Sequence, residues 1–147
     1  MIYEVNVERI RRQLNVLQTC ADLIEEIDPN KKSRVDRFAL ERAYHLAVES
    51  MIDVGTVMID GFIMRDPGGY LDIVDILEDE QVIPSKLSQR LKKQVNLRER
   101  LVRYYDEVDE IELYNYMQEI DLYREFINHV KTYILKELGE KIELKRV

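Results

Sequence analysis

Cysteine and histidine are nearly absent from this chain of 147 residues, and their scarcity excludes several kinds of site. The single cysteine, Cys20, cannot form a disulfide within the chain, which fits a protein of the reducing cytosol. Only His45 and His129 accompany it, too few nitrogen and sulfur ligands for a structural zinc site. We therefore predict neither a bound metal nor any other cofactor.

Long apolar runs are also missing. No stretch approaches the ~18 apolar residues that span a membrane. The first residues, MIYEVNVERIRR, lack the apolar core of a secretory signal. The composition, with 46% hydrophobic and 35% charged residues, is ordinary for a globular protein, and the length suits one domain with a sizeable core. We expect a cytoplasmic protein that does not contact a membrane.

Positive charge is in short supply over the whole chain, whose net charge is −7. This balance argues against general binding of nucleic acid. The charge is unevenly distributed, however, because residues 86–103 carry seven lysines and arginines against Glu99 alone. A basic helix of this kind could hold a phosphate. The alternative is a solvated helix face whose charges pair with neighbouring acids.

Helical periodicity runs through almost the whole sequence, with apolar residues recurring at intervals of three and four. The breaks fall at proline and glycine, most clearly in RDPGGY and before Ser85. The predicted helices cover about residues 7–24, 33–64, 71–78, 85–106 and 109–138.

Long amphipathic helices joined by short links are typical of a helical bundle. We predict an all-α fold, an up-and-down helical bundle of four long helices plus a short one. One domain should cover residues 1–139, with Gly139 as a C-cap. Residues 140–147 then form a charged C-terminal tail.

The second predicted helix is apolar on most sides but carries one polar strip. Charged side chains are rarely buried without partners, so this strip should face water, a polar cleft or arginines of another helix. A metal site on His45, Glu49 and Asp53 is the alternative, but no second helix offers matching ligands. The strip, which lies within about 80° on a helical wheel, consists of Arg42, His45, Glu49, Asp53, Thr56 and Asp60.

Two glycines, Gly55 and Gly61, interrupt the same helix at a cost in stability against alanine. They predict the close approach of another helix, for which a second subunit is one source.

Arg98 breaks the apolar pattern of the basic helix. A helical wheel places it within about 20° of Tyr105 inside the apolar arc, and places Arg103 about 140° away on the polar side. A buried guanidinium without a carboxylate would cost several kcal/mol. Arg98 is therefore predicted to meet a carboxylate of the polar strip: Glu49, Asp53 or Asp60. Such an arginine is either one half of an ion pair between helices or a group held ready for a phosphate.

Two blocks, RERLVRYYDEVD and MIDVGTVMIDGFIMRDPGGYLDIVDIL, resemble the HepT-like branch of the HEPN superfamily, and YutE-like bacterial proteins within it. The family's signature is an arginine followed several residues later by histidine, typically R-N-x-x-x-H-x-Y. The resemblance implies a HEPN-like bundle, a metal-independent endoribonuclease, and a homodimer whose subunits share one cleft. In toxin–antitoxin pairs of the family, a nucleotidyltransferase antitoxin transfers AMP to the motif tyrosine.

On this resemblance, Arg98 matches the motif arginine and Tyr105 the motif tyrosine, the expected AMP acceptor. Arg103 stands where the motif histidine is expected, so Arg98, Arg103 and Tyr105 are the candidate catalytic residues. Cleavage through the ribose 2′-hydroxyl needs a base and an acid, and histidine suits both roles because its pKa lies near neutrality. Arginine stays protonated and cannot act as the base.

Three functions remain open at this point. The first is a HepT-like toxin-type protein related to endoribonucleases, with little or no cleavage by the altered motif. The second is a non-catalytic dimeric module that binds RNA, a nucleotide or a protein in the inherited cleft. The third is a helical interaction protein whose arginines only form ion pairs. In the first two, Glu49, Asp53, Asp60 and Tyr104 are expected to line or support the cleft.

Overall fold

The computed structural model describes residues 3–139, in which six α-helices and two short 3-10 helices form and no β-strand occurs. The all-α prediction is confirmed, and so are four long helices with a short one between the second and the third. The 140–147 tail lies outside the described residues. The α-helices are α1 Val7–Glu26, α2 Arg34–Gly61, α3 Tyr70–Asp79, α4 Ser85–Arg103, α5 Glu110–Asn115 and α6 Asp121–Leu138, and the 3-10 helices are Tyr105–Glu107 and Tyr116–Glu119.

Side chains fix the beginnings of three of these helices. Asn6, Ser33 and Asp109 each accept a hydrogen bond from a backbone N–H in the following turn, at 3.0, 3.0 and 2.7 Å. Such caps satisfy N–H groups that have no partner inside the helix, and each contributes about 1 kcal/mol. Pro84 precedes α4, where its fixed φ suits the start of a helix.

The long helices share one apolar core, in which α2 is the central element. α1 packs along α2 and also contacts α6, while α4 packs against α2, α3 and α6. α3 contacts both α2 and α4. Its first residue, Tyr70, lies beside Glu49 of α2. None of the helices in this described part has the length and apolar character that crossing a bilayer requires.

The last predicted helix, 109–138, is divided in the structure by the 3-10 helix Tyr116–Glu119. Leu113 before it and Leu122 after it are both fully buried. Nine residues of uninterrupted α-helix would place these two leucines on opposite sides, since each residue turns the helix by about 100°. The 3-10 helix interrupts this phase, and Leu113 and Leu122 both lie in the one apolar core.

The close approach predicted at the two α2 glycines exists, but it comes from within the chain. A Cβ on Gly55 would lie 2.6 Å from Ile73 Cγ2 of α3. A Cβ on Gly61 would lie 2.9 Å from the backbone of Val5. The glycines are therefore explained by packing of α3 and the N-terminal segment, and they no longer argue for a second subunit.

Candidate functional site

The Glu49 carboxylate on α2 is the centre of a polar cluster between three helices. Arg98 of α4 donates from Nε to Glu49 Oε1 at 2.6 Å. Tyr70 of α3 donates from its hydroxyl to Glu49 Oε2 at 2.9 Å. The Arg98 guanidinium carbon also lies 4.5 Å from the centre of the Tyr70 ring, within the range of a cation–π contact. The carboxylate predicted to meet Arg98 is thus found, and it is Glu49.

This cluster fixes Arg98 without using all of its hydrogen-bonding capacity. Its side chain is 21% exposed and that of Glu49 is 27% exposed, so the pair is partly screened by solvent. Among the residues from 3 to 139, the two terminal Nη atoms of Arg98 have no hydrogen-bond acceptor, because only Nε is bound. Those two atoms are available to an anion.

Arg98 lines an open groove of about 750 Å³ between the start of α3 and the end of α4. Arg103 lines the same groove and forms no ion pair with any other residue of the described chain. We call this feature the arginine groove. It is lined by Gly68, Gly69, Tyr70, Leu71, Asp72, Val95, Asn96, Arg98, Glu99 and Arg103.

Arg103 lies on the exposed side of α4, as the helical wheel predicts, and it still lines the same groove as Arg98. Asn96, Glu99 and Arg103 follow one another at intervals of three and four, so they form one edge of α4. That edge is exposed and borders the groove, whose lining also includes Gly68 and Gly69 of the loop before α3. The groove is therefore wide enough for both Arg98 and Arg103 to line it, although their side chains leave α4 in different directions.

The tyrosines are placed differently from the wheel prediction. α4 ends at Arg103, and Tyr104 has the non-helical angles φ −126° and ψ 43°. Tyr105 then begins a 3-10 helix and is 67% exposed instead of lying in the apolar arc. Neither tyrosine lines the arginine groove. A wheel presumes a continuous helix, and here the helix stops two residues too early for it to apply.

The other predicted carboxylates of α2 are not bound to Arg98. Asp53 lines a second groove together with Glu49, and its pKa is raised by burial and by the nearby Glu49 charge, against a lowering by Arg9. Asp60 is exposed and lines neither groove. Only Glu49 of the three predicted partners therefore holds Arg98.

His45 lies beside the cluster. Its Nδ1 is 3.3 Å from an Nη atom of Arg42, which can only donate, and its Nε2 is 3.6 Å from Glu49 Oε1. Burial lowers the pKa of His45, as do the Arg42 and Arg98 charges, while Glu49 opposes this shift. The ring is thus biased toward its neutral form, with Nδ1 as the acceptor. Among residues 3–139, no three His, Cys, Asp or Glu side chains group as a metal ion would require.

Most of the basic segment is neutralised by acids, as one of the two sequence interpretations proposed. Arg90 binds Glu119 and Asp121 at 2.6 Å each, and joins α4 to the start of α6. Within the described chain, the residues of this segment that keep no ion pair are Lys86, Lys93 and Arg103. The remaining pairs are Lys92 with Asp75, Arg98 with Glu49, and Arg100 with Glu112.

Tyr70 is the site residue that the sequence patterns did not identify. It is the last residue of RDPGGY, the segment that breaks the helical pattern. Burial and the Glu49 carboxylate raise its pKa, so the hydroxyl stays protonated and continues to donate. The predicted short helix begins at residue 71, one residue after Tyr70, so the helical pattern did not include this side chain.

Comparison with known proteins places this chain in a family. The family model described as Ribonuclease HepT-like matches residues 10–130. A protein named Putative RNase YutE, from Bacillus subtilis strain 168, is 37% identical over 139 residues, which are 94% of this chain and 96% of that protein.

Solved structures agree. The structure of YutE from Bacillus subtilis, described as a cytosolic protein of unknown function, has a TM-score of 0.88 at 36% identity and covers 97% of this chain and 99% of that one. A Shewanella oneidensis HEPN toxin, tri-AMPylated and in complex with an MNT antitoxin, has a TM-score of 0.78 at 20% identity over 84% of this chain and 97% of that one. At that identity the second likeness establishes a shared fold only.

Proposed function

This chain belongs to the HepT-like ribonuclease family, and from that premise we propose that its arginine groove binds RNA by the phosphates. The observation that carries this proposal is that both arginines of the groove keep donor atoms that no residue of the described chain binds. Arg98 has two unused Nη atoms, and Arg103 has no ion pair within residues 3–139. Guanidinium groups bind phosphate oxygens through short, charge-assisted hydrogen bonds.

We do not expect this groove to cleave RNA fast. No histidine is among the residues that line the arginine groove. Arg103, at the position of the motif histidine, stays protonated and can only stabilise developing negative charge. The His45 ring has its acceptor nitrogen directed at Arg42 instead of at the groove. We expect the wild-type chain to cleave RNA slowly or not at all.

These same facts favour a second function, a non-catalytic module of toxin–antitoxin ancestry. Such a module would bind RNA, a nucleotide or a protein in the groove without cleaving. Incubation with total RNA and with tRNA separates this module from a ribonuclease, because only a ribonuclease gives RNA fragments. Cleavage that disappears in Arg98→Ala would establish the enzyme and overturn the module.

RNA binding should be strongly dependent on salt and on both arginines. With a labelled single-stranded RNA, the logarithm of the binding constant should fall with the logarithm of salt concentration, by about 0.7 for each phosphate contact. Arg103→Gln should weaken binding at every salt concentration and reduce this slope by about 0.7. Fluorescence anisotropy measures both quantities.

Lys136→Gln is the matched control, because it removes one exposed positive charge from α6, away from the groove. If it weakens binding as much as Arg103→Gln does, the attraction is non-specific. Absence of binding at low salt would contradict the proposed function.

We also propose a nucleotidyltransferase partner, with Tyr105 as the acceptor of AMP. The support is the exposure of Tyr105 and the relative that was solved AMPylated beside an MNT antitoxin. The tyrosine oxygen would attack the α-phosphate of ATP and release pyrophosphate. Incubation with such an enzyme and ATP should add the mass of one AMP group or more, and Tyr105→Phe should lose one group. An unchanged mass pattern in Tyr105→Phe would exclude this role.

We also propose that the chain forms a homodimer, because it belongs to the HepT-like family. The α2 glycines no longer support it, since α3 and the N-terminal segment fill the space beside them. Sedimentation at micromolar concentration should show two chains, and a monomer would contradict it. The cytosol is the expected location, because the Bacillus subtilis relative is described as cytosolic.

A further inference from the structure

A second groove, of about 300 Å³, lies between α1 and α2 on the other side of the Glu49 cluster. We call it the α1–α2 groove. The polar side chains in it come from both helices, and its apolar part is the exposed Val16 and the partly buried Leu46. It is lined by Arg9, Arg12, Gln13, Val16, Leu46, Glu49, Ser50 and Asp53.

The two arginines of this groove differ from most others in the molecule. Arg9 and Arg12 are exposed, stand one helical turn apart, and form no salt bridge with any residue from 3 to 139. In a chain of net charge −7, most arginines of the described part are instead bound to acids. Those bound arginines are Arg11, Arg37, Arg65, Arg90, Arg98, Arg100 and Arg124.

Gln13 supplies the second, independent observation. Its side chain lines the groove, yet the residue is only 7% exposed, and its Oε1 has no hydrogen-bond partner within the described chain. A buried acceptor without a donor costs about 1–3 kcal/mol. The Oε1 atom is itself enclosed, so a donor group on a bound ligand would remove that cost once the amide turned its oxygen toward the groove.

The α1–α2 groove and the arginine groove meet at one residue. Glu49 lines the first, and its carboxylate holds Arg98, which lines the second. A flexible chain with several phosphates can follow both grooves, whereas a single small anion cannot. The apolar side chains Val16 and Leu46 suit the face of a base, and the Gln13 amide suits its polar edge.

We infer that the α1–α2 groove is a second subsite for the RNA strand, where Arg9 and Arg12 bind a phosphate and Gln13 accepts a hydrogen bond from a donor on the edge of a base. This inference rests on the proposed function of the arginine groove, because it requires RNA there. Every base carries such a donor: adenine, cytosine and guanine have an exocyclic amino group, and uracil has its ring N3–H. The subsite therefore takes a base without selecting its identity.

The test measures binding of labelled hexa-adenylate and hexa-uridylate by fluorescence anisotropy at several salt concentrations. The double variant Arg9→Gln/Arg12→Gln should weaken binding of both RNAs about 10- to 100-fold at low salt and lower the salt slope by about 0.7. Gln13→Met, which keeps the size and removes the acceptor, should weaken binding of both RNAs without changing the salt slope, because no phosphate contact is lost.

Lys31→Gln/Arg34→Gln is the matched control, because it removes two exposed positive charges at the start of α2 without touching either groove. Thermal unfolding of each variant verifies that it is folded. If Arg9→Gln/Arg12→Gln binds like this control while Arg98→Ala still weakens binding, the second subsite is overturned and the proposed function stands.

Two other outcomes also decide the matter. Wild-type protein that binds neither RNA overturns the subsite and the proposed function together. A change from wild type in sedimentation of Arg9→Gln/Arg12→Gln, with RNA affinity per folded chain unchanged, would make this groove a contact between protein subunits and overturn the RNA subsite.

Discussion

Arg103→Gln should leave the protein as slow a ribonuclease as the wild type, whereas Arg103→His should accelerate RNA cleavage by about 10²- to 10⁴-fold. This is the usual contribution of a positioned acid–base group. Arg103 already lines the groove beside Arg98, so a histidine there would reach the same space. It could take the proton of the ribose 2′-hydroxyl as that oxygen attacks phosphorus, which arginine cannot do.

The pH dependence identifies the new group. The rate with Arg103→His should bend near pH 6.5, the ordinary pKa of histidine, and Arg103→Gln should show no such bend. Adding Arg98→Ala to Arg103→His should remove the gain, because the phosphate would lose its clamp. A histidine variant that is no faster than the glutamine variant would mean that the groove does not hold RNA in a reactive geometry.

Glu49→Ala should lower the free energy of unfolding by about 1–2 kcal/mol. The substitution removes the acceptor of both Arg98 Nε and the Tyr70 hydroxyl and leaves a half-buried guanidinium without its carboxylate. The loss is smaller than for a fully buried pair, because both side chains retain solvent contact. Urea denaturation followed by circular dichroism measures the change.

Two variants make this result specific to the cluster. Glu112→Ala breaks the Arg100–Glu112 pair at a more exposed place and should cost less than about 1 kcal/mol. Arg98→Met added to Glu49→Ala should recover part of the loss, since no unpaired charge then remains. Equal losses of unfolding free energy for Glu49→Ala and Glu112→Ala would show that the Glu49 cluster stabilises the fold no more than an exposed ion pair does. RNA affinity should fall in Glu49→Ala because Arg98 loses its position.

The prediction of Arg98 illustrates how far a sequence pattern reaches. Its place in an apolar arc required a carboxylate, and the polar strip of the neighbouring helix offered three. Choosing Glu49 among them needed the relative positions of α2 and α4 along their axes, which no periodicity within one helix reports. Tyr70 was missed for the same reason, because its partner lies 21 residues away in the chain.

The amino-acid sequence by itself determined the helices, their apolar faces and the arginine that had to be compensated, since these depend on residues a few positions apart. The tertiary structure alone decided which charges were neutralised, and it left Arg9, Arg12 and Arg103 free of salt bridges within the described residues. It also decided that α4 ends at Arg103, which turned Tyr105 out to solvent. Helix ends and pairings between helices are set by contacts between distant segments, and a one-dimensional pattern does not contain them.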